Sequence, residues 1–383
     1  MKKLSNLLKL LIAAVVLVGM FAACEGPEGP MGPKGDKGDK GDPGDPGPGS
    51  VVNWEGFKEG IVCAQCHNPD YDTLYYVWGI KSEWALSKHA NGGAYIENSS
   101  TCAPCHTTEG FVQQSLGQTV TGHAISSPIG CFACHSPHSR ADFSLRTVEP
   151  VTMVSNVVGV DNFVFDYGKG NLCANCHKPR EMTLPNSPKP DPTKTAETDT
   201  IVIKSSRWYS HYGVQGQMLG GEGGFEFQGE VYGNSPHTGS SVIQDEGCII
   251  CHMAVEERNP AGGHTMKLKV ESEGEEVEMI AGCLTSGCHS EPFELDYDGK
   301  QTIIHGLVDS LATLLIDRNW IKQNEDGSYS VKASTSAPLK IAPEYLSGAM
   351  FNFFFVEHDL SFGSHNYDYA KKLLEDSIAK LTE

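Results

Sequence analysis

The sequence predicts a mainly α-helical protein with extensive loops, in which a prosthetic group fills much of the interior. Of its 383 residues only 39% are hydrophobic, whereas 42 are Gly and 21 are Pro. This composition supplies little aliphatic material for a core and much for loops. The unusual counts are 13 Cys and 15 His, residue types that bind metals and metal cofactors. We therefore expect a metal-containing group to complete the interior.

The chain is acidic, with 48 acidic and 29 basic residues and a formal net charge of −19. Phosphate groups would be repelled by such a chain, which excludes nucleic acid as a partner. An acidic surface instead favours protein partners that carry a basic patch.

Residues 1–23 are predicted to be a secretory signal, because two lysines precede an apolar run too short for a stable membrane span. The segment ends in Ala22-Ala23-Cys24, which resembles the lipobox of bacterial lipoproteins. The resemblance implies cleavage before Cys24 and lipidation of its thiol, which would anchor the protein to a membrane. Glu25 is not the Asp associated with inner-membrane retention, which favours the outer membrane, at its periplasmic face or at the cell surface. A plain signal peptide with a chance Cys is the alternative.

Residues 24–50 are predicted to form a collagen-like stalk behind Cys24. Gly recurs at every third position from Gly26 to Gly47, with mostly Pro, Lys, Asp and Glu between. Only Gly fits the crowded axis of three wound polyproline-II chains. A triple helix would make the protein a homotrimer, and a single extended chain would only lift the rest from the membrane. Either form would span about 70 Å.

The other twelve Cys form six pairs, each followed directly by His. Cys-x-x-Cys-His is the attachment pattern of c-type haem, in which two thiols bond covalently to one haem and the His binds its iron. Disulfides would not place a His after each second Cys, and zinc sites would need no fixed His. We therefore predict six covalently attached haem c groups, the sixth through a longer loop. The motif residues are Cys63, Cys66 and His67; Cys102, Cys105 and His106; Cys131, Cys134 and His135; Cys173, Cys176 and His177; Cys248, Cys251 and His252; Cys283, Cys288 and His289.

Nine His lie outside the motifs, more than the six that a second axial ligand on every iron requires. This surplus predicts bis-His iron throughout, with His138 close to the third motif but bound to a neighbouring haem. His305 is expected within an amphipathic helix, and His358 at the surface. We rank His89, His138, His211, His264 and His365 first as axial ligands, His237 and His123 next, and His305 and His358 last.

The motifs divide the remaining chain into four parts. Residues 51–184 form a tetrahaem region, 185–200 a polar linker loop, 201–300 a dihaem region and 301–383 a helical region that packs on the haems. Apolar residues at helical spacing predict helices over 304–315 and 367–381. We expect little sheet, with one hairpin at 225–232 or at 270–279.

Several of these segments resemble one superfamily of multihaem cytochromes c. They are Cys131-Phe-Ala-Cys134-His135-Ser-Pro-His138, Trp208-Tyr-Ser-His211-Tyr-Gly, Gly262-Gly-His264-Thr and His365-Asn366-Tyr-Asp-Tyr-Ala. The superfamily contains ammonia-forming nitrite reductases, hydroxylamine oxidoreductases and the tetrahaem cytochromes of ammonia oxidisers. The resemblance implies a multihaem cytochrome c fold. The Cys-x-x-Cys-Lys haem typical of the nitrite reductases is absent, and there are six motifs where hydroxylamine oxidoreductases have eight.

The sequence therefore favours an electron carrier over an enzyme. The predicted function is electron transfer by an exported, membrane-anchored hexahaem cytochrome serving outer-membrane or extracellular electron transport. Its expected redox partners are basic-patched cytochromes or a quinol-linked donor. One alternative is an oxidoreductase that acts on a small nitrogen or sulfur oxyanion at one open haem. Another is a subunit of a cytochrome filament, since surface hexahaem cytochromes of metal-reducing bacteria are similar and some polymerise.

Overall fold

The structure is a computed structural model, and it describes residues 76–136, 143–183, 185–257, 259–285, 288–290 and 293–383. The predicted signal, Cys24, the collagen-like stalk, the first motif and His138 lie outside these ranges. Within them the chain is mainly helices and loops with little sheet, as the sequence predicts.

The part that carries the motifs consists of short helices joined by loops. In chain order they are α1 Val77–Ala85, α2 Lys88–Asn91, α3 Ala103–His106, α4 Thr108–Ser115, α5 Cys131–Cys134, α6 Asn171–Ala174, α7 Gln215–Gly220, α8 Pro236–Gly239, α9 Ser241–Glu246 and α10 Ile249–His252. Single 3₁₀ turns occur at Ala94–Ile96, Gly168–Gly170, Gly263–Thr265, Tyr297–Gly299 and Glu344–Leu346.

Three longer helices follow: α11 Lys300–Asp317, α12 Ser347–Asp359 and α13 Tyr367–Thr382. The helices predicted over 304–315 and 367–381 are confirmed as parts of α11 and α13. Helix α12 was not predicted. Nearly all of its residues are buried, so it lacks the polar face from which helical periodicity is recognised.

The described strands form four two-stranded antiparallel sheets. The hairpin predicted at 270–279 is confirmed, and the alternative at 225–232 is wrong because that segment contains no strand. The strands are β1 Val151–Met153 with β2 Phe163–Phe165, β3 Ile201–Ile203 with β8 Leu339–Ile341, β4 Lys269–Ser272 with β5 Glu275–Glu278, and β6 Ile321–Gln323 with β7 Tyr329–Val331.

A large aliphatic and aromatic core lies among α11, α12 and α13. Trp208, Phe225 and Phe351 are fully buried in it together with Leu311 and Leu373. The apolar faces of α11 and α13 pack on each other and on α12, so burial of side chains holds this part together. Most of the buried hydrophobic residues among the described ones therefore lie in this core.

A short turn joins α12 to α13. Helix α12 ends at Asp359, and Leu360 reverses the chain in the left-handed conformation with φ 62°. Helix α13 begins after Asn366, whose side-chain oxygen accepts a hydrogen bond from the Tyr369 N–H at 3.4 Å. Between the two helices, His365 lies in a turn, where its N–H donates to the Ser361 hydroxyl and its Nδ1 donates to Asp359.

Candidate haem-binding sites

Each described Cys-His motif is closed by the same backbone hydrogen bond, in which the N–H of the His donates to the carbonyl of the first Cys. The bond lengths are 3.1 Å in the second motif, 2.8 Å in the third, 2.9 Å in the fourth and 3.0 Å in the fifth. In the sixth motif His289 donates to Cys283 at 3.0 Å despite the two extra loop residues. The longer loop therefore ends in the same local closure as the other four.

The described motif His residues each face one His from outside the motifs. The ring centroids are separated by nearly the same distance in every case. The pairs are His106–His211 at 6.2 Å, His135–His264 at 6.3 Å, His177–His89 at 6.3 Å, His252–His365 at 6.3 Å and His289–His237 at 6.2 Å.

This separation fits a metal ion bound between two imidazoles. With metal–nitrogen bonds of about 2.0–2.1 Å, the centroids of two rings that face one ion lie about 6.3 Å apart. Rings in direct stacking contact are closer, as for His305 and Phe362 at 3.6 Å. The five pairs therefore have the spacing that bis-His haem iron requires, with the Cys of each motif at hand for the covalent bonds.

Of the seven non-motif His that the sequence ranks as axial ligands, five are members of these pairs. His123 faces no described motif His, and His138 lies outside the described residues. His123 has a buried Nε2 that lacks a hydrogen-bond partner among the described residues. His305 and His358 belong to no pair. His358 is only 3% exposed, so the expectation of a surface position is wrong: it is packed between Tyr209 and Tyr212.

Hydrogen bonds at Nδ1 hold six of the paired imidazoles, which leaves Nε2 to face the partner ring. In such sites the outer partner fixes the ring and tunes the electron density that it gives to the metal. The acceptors are Met266 Sδ for His89 at 3.0 Å, Phe143 O for His135 at 2.7 Å, Gln215 Oε1 for His177 at 3.1 Å, Ser364 O for His237 at 2.8 Å, Met266 O for His252 at 3.2 Å and Asp359 Oδ1 for His365 at 2.7 Å.

Met266 serves two of these sites, through its sulfur for His89 and through its carbonyl for His252. Its backbone is left-handed, with φ 57°. That conformation is uncommon for a residue with a side chain and is retained where surrounding contacts demand it. Neither Met266 nor Asp359 carries a pattern in the sequence that marks it as a ligand support.

Burial keeps several of these imidazoles neutral, the form that binds a metal. Burial, together with the nearby His177, lowers the pKa of His89 to about 4. Burial, followed by the nearby His365, lowers the pKa of His252 to about 4. For His365 burial acts in the same direction, but the charge and hydrogen bond of Asp359 outweigh it and raise the pKa.

Neighbouring motifs contact one another, which gives the order of the attachment points. The Cys105 thiol of the second motif donates to the Asn175 carbonyl of the fourth, and the Cys176 thiol of the fourth donates to the Pro104 carbonyl of the second, each at 3.8 Å. The Cys248 thiol of the fifth motif donates to the Gly170 carbonyl just before the fourth at 3.9 Å. The sixth motif approaches the fifth where Gly282 packs against the carbonyl of Ile250.

The third motif lies beside the fourth, because Cys134 and Cys176 pack against the same small cluster of buried residues. The fourth motif is therefore the branch point of the five described motifs, in contact with the second, third and fifth.

Two glycines allow the fourth and fifth motifs to approach. Gly170 precedes the fourth motif and Gly247 precedes the fifth, and their backbones cross. A Cβ atom on Gly247 would lie 2.5 Å from the Cα of Gly170. Gly247 also has φ 60°, which favours glycine. The close approach of the two motifs depends on this crossing.

No family model and no curated protein matches this sequence. Among solved structures, the chain is similar to the outer cell wall cytochrome OcwA, with 19% sequence identity and a TM-score of 0.45. The match covers 79% of this chain and 50% of that chain, so this chain spans half the length of that structure.

Among the described residues, no three or more His, Cys, Asp or Glu side chains converge on a common metal position. The described helices also include none with the length and apolar character needed to cross a lipid bilayer.

Proposed function

We propose that the protein is an exported hexahaem c-type cytochrome that transfers electrons through bis-His haems. The observation that carries the proposal is the repeated spacing of 6.2–6.3 Å in five pairs that each combine a motif His with a His from elsewhere. Bound haem supplies one-electron redox chemistry at its iron. The paired imidazoles would hold the haem iron from both sides and would leave no position for a substrate.

The contacts between motifs support transfer along the chain of sites. The second, fourth, fifth and sixth motifs adjoin in that order, with the third beside the fourth. Cys131 of the third motif and Cys288 of the sixth are solvent-exposed. These exposed attachment points are positions at which donor and acceptor proteins would approach.

Export, anchoring and partners complete the proposal. The predicted signal and Cys24 support a lipid anchor at the outer membrane, and the Gly-x-y repeat supports a stalk that extends the haem-bearing part from it. The net charge of −19 favours basic-patched cytochromes or a quinol-linked donor as partners. A homotrimer through the stalk, or a filament of subunits, is a further part of the proposal that particle size would test.

One observation favours a second candidate function, the reduction or oxidation of a small oxyanion at the second motif. His211 has a left-handed backbone with φ 68°, a conformation that stores strain. Burial, then the charges of Arg180, His106 and Arg207, lowers its pKa to about 4. A strained ligand beside two guanidinium groups could yield its position to an anion.

The deciding experiment is mass spectrometry with EPR and optical spectroscopy of the purified protein. The expected result is six covalently bound haems, all low-spin when oxidised, with a reduced spectrum that carbon monoxide and nitrite do not change. A high-spin haem that binds either ligand would instead support the oxyanion function. Fewer than six haems would contradict the hexahaem proposal.

A further inference from the structure

The imidazole of His365 differs from the other paired imidazoles in the charge of its hydrogen-bond acceptor. Asp359 Oδ1 accepts from His365 Nδ1 at 2.7 Å, whereas the other five hydrogen-bonded rings donate to a thioether, an amide or a backbone carbonyl. The Asp359 side chain is 1% exposed. Within the described part of the chain, its one ion-pair partner is His365.

The position of Asp359 is not one that helix stability favours. It is the last residue of α12, where the helix dipole concentrates partial negative charge and a carboxylate is unfavourable. Burial adds a desolvation cost. Helix stability therefore does not explain the presence of a carboxylate at this position. Its contact with His365 does.

The physical effect of this contact is on the electron density of the ligand. A carboxylate that accepts from Nδ1 makes the imidazole a stronger electron donor at Nε2. A stronger donor, and a nearby buried negative charge, both favour the more positive oxidation state of a bound metal. Second-sphere hydrogen bonding of this kind is one of the factors that set haem potentials.

We propose that Asp359 is a positioning residue that gives the haem site of His252 and His365 the lowest reduction potential of the five described sites. This inference rests on the proposed function. The fifth motif, which stands between the fourth and the sixth, would then be the hardest site to reduce for an electron that arrives from either side.

A second carboxylate provides an internal comparison. Glu83 Oε2 lies 3.8 Å from His264 Nδ1, beyond hydrogen-bond range, and the Glu83 side chain is 44% exposed. Solvent screens such a pair strongly. Its effect on the site of His264 is therefore much weaker than the effect of Asp359 on that of His365.

The test is EPR-monitored potentiometry of the full-length holoprotein. Asp359→Asn keeps an acceptor oxygen but removes the charge, and it should move one haem to a more positive potential while the other five stay in place. His365→Met identifies that haem, because a Met ligand raises the potential of the same centre. Glu83→Gln should move a different haem, and by less. The inference is overturned if Asp359→Asn shifts no haem, or shifts one no further than Glu83→Gln does.

Ser361, whose hydroxyl also accepts from the His365 N–H at 3.2 Å, gives a second variant of opposite sign. Its hydroxyl donates to Asp359 Oδ2, so Ser361→Ala leaves a less-satisfied carboxylate and should move the same haem to a more negative potential. A positive shift would count against the inference. If the wild-type protein lacks a low-spin bis-His centre that His365→Met perturbs, the proposed function fails as well. If that centre exists but ignores Asp359→Asn, this inference alone is wrong.

Discussion

The imidazole of His211 faces that of His106 with 6.2 Å between the ring centroids, although more than one hundred residues separate them in the sequence. The pair joins the second motif to a loop that precedes α7. If both rings bind one iron, His211→Ala should convert one haem in six from low-spin to high-spin. That haem should then bind carbon monoxide in the reduced state, which optical spectroscopy would detect.

A matched control for this variant is His305→Ala. His305 stacks on Phe362 and faces no described motif His, so its removal should leave all haems low-spin. An unchanged spectrum in His211→Ala, or a ligand-binding haem in His305→Ala, would contradict the assignment of the second site.

The five His pairs leave one of the six predicted haems without a second axial ligand. His123 is the strongest described candidate for that ligand. Its Nε2 is buried without a hydrogen-bond partner among the described residues, and a buried nitrogen of this kind needs a partner. We expect His123→Ala to create a high-spin haem that is distinct from the one exposed by His211→Ala. EPR of the double variant should show two such haems.

The competing candidate is His138, which the sequence ranks above His123. If His138→Ala produces the additional high-spin haem and His123→Ala does not, His138 is the ligand.

The sequence predicts the candidate haem-binding residues, but it does not predict the residues that support them. The Cys-x-x-Cys-His spacing is local and is itself the pattern of haem attachment, so the motifs can be recognised in the sequence. His89 and His177 meet only because the chain folds back, and no local pattern encodes their pairing. Asp359 shows no signal at all, since its role depends on a contact made by a turn between two helices.

In the fold, too, elements with a local sequence pattern are predictable and contacts between distant segments are not. Helices α11 and α13 are amphipathic, so their apolar periodicity predicts them. Helix α12 is buried at nearly every residue, and a segment without an exposed polar face carries no periodicity that distinguishes helix from strand. The crossing of Gly170 and Gly247 was also hidden, because glycines in a Gly-rich chain give no indication of which pair touches.

The glycine crossing makes a prediction about stability. Gly247→Ala places a Cβ 2.5 Å from the Cα of Gly170 and forces a side chain into φ 60°. Backbone atoms cannot move aside cheaply, so we expect a loss of about 1–3 kcal/mol in the free energy of unfolding. Thermal unfolding of the holoprotein would measure it.

Gly229→Ala separates the steric clash with Gly170 from the conformational cost of a side chain at positive φ. Gly229 also has a positive φ, of 87°, but no described atom lies within 4 Å of the place that a Cβ would occupy. It should therefore show only the conformational cost, and Gly247→Ala should be the more damaging variant. Equal losses would mean that the crossing imposes no steric constraint.

Glu222 gives a prediction about pH. Burial, with the neighbouring Glu226 carboxylate, raises the pKa of Glu222 in the folded protein. Because the folded state holds this proton more tightly than the unfolded state, stability decreases as the pH rises through and above the ordinary value of 4.5. Glu222→Gln should remove the loss and stabilise the protein at pH 7 by about 0.5 kcal/mol or less, since solvent reaches this side chain and screens its charge.

The gain from Glu222→Gln should disappear near pH 4, where the carboxyl group is largely protonated in both states. Thermal unfolding at the two pH values would test this, with Glu275→Gln at an exposed position of the β4–β5 hairpin as the control. A gain of equal size at both pH values would attribute the effect to packing and not to the charge. A gain in the control variant would attribute it to the net charge of the chain.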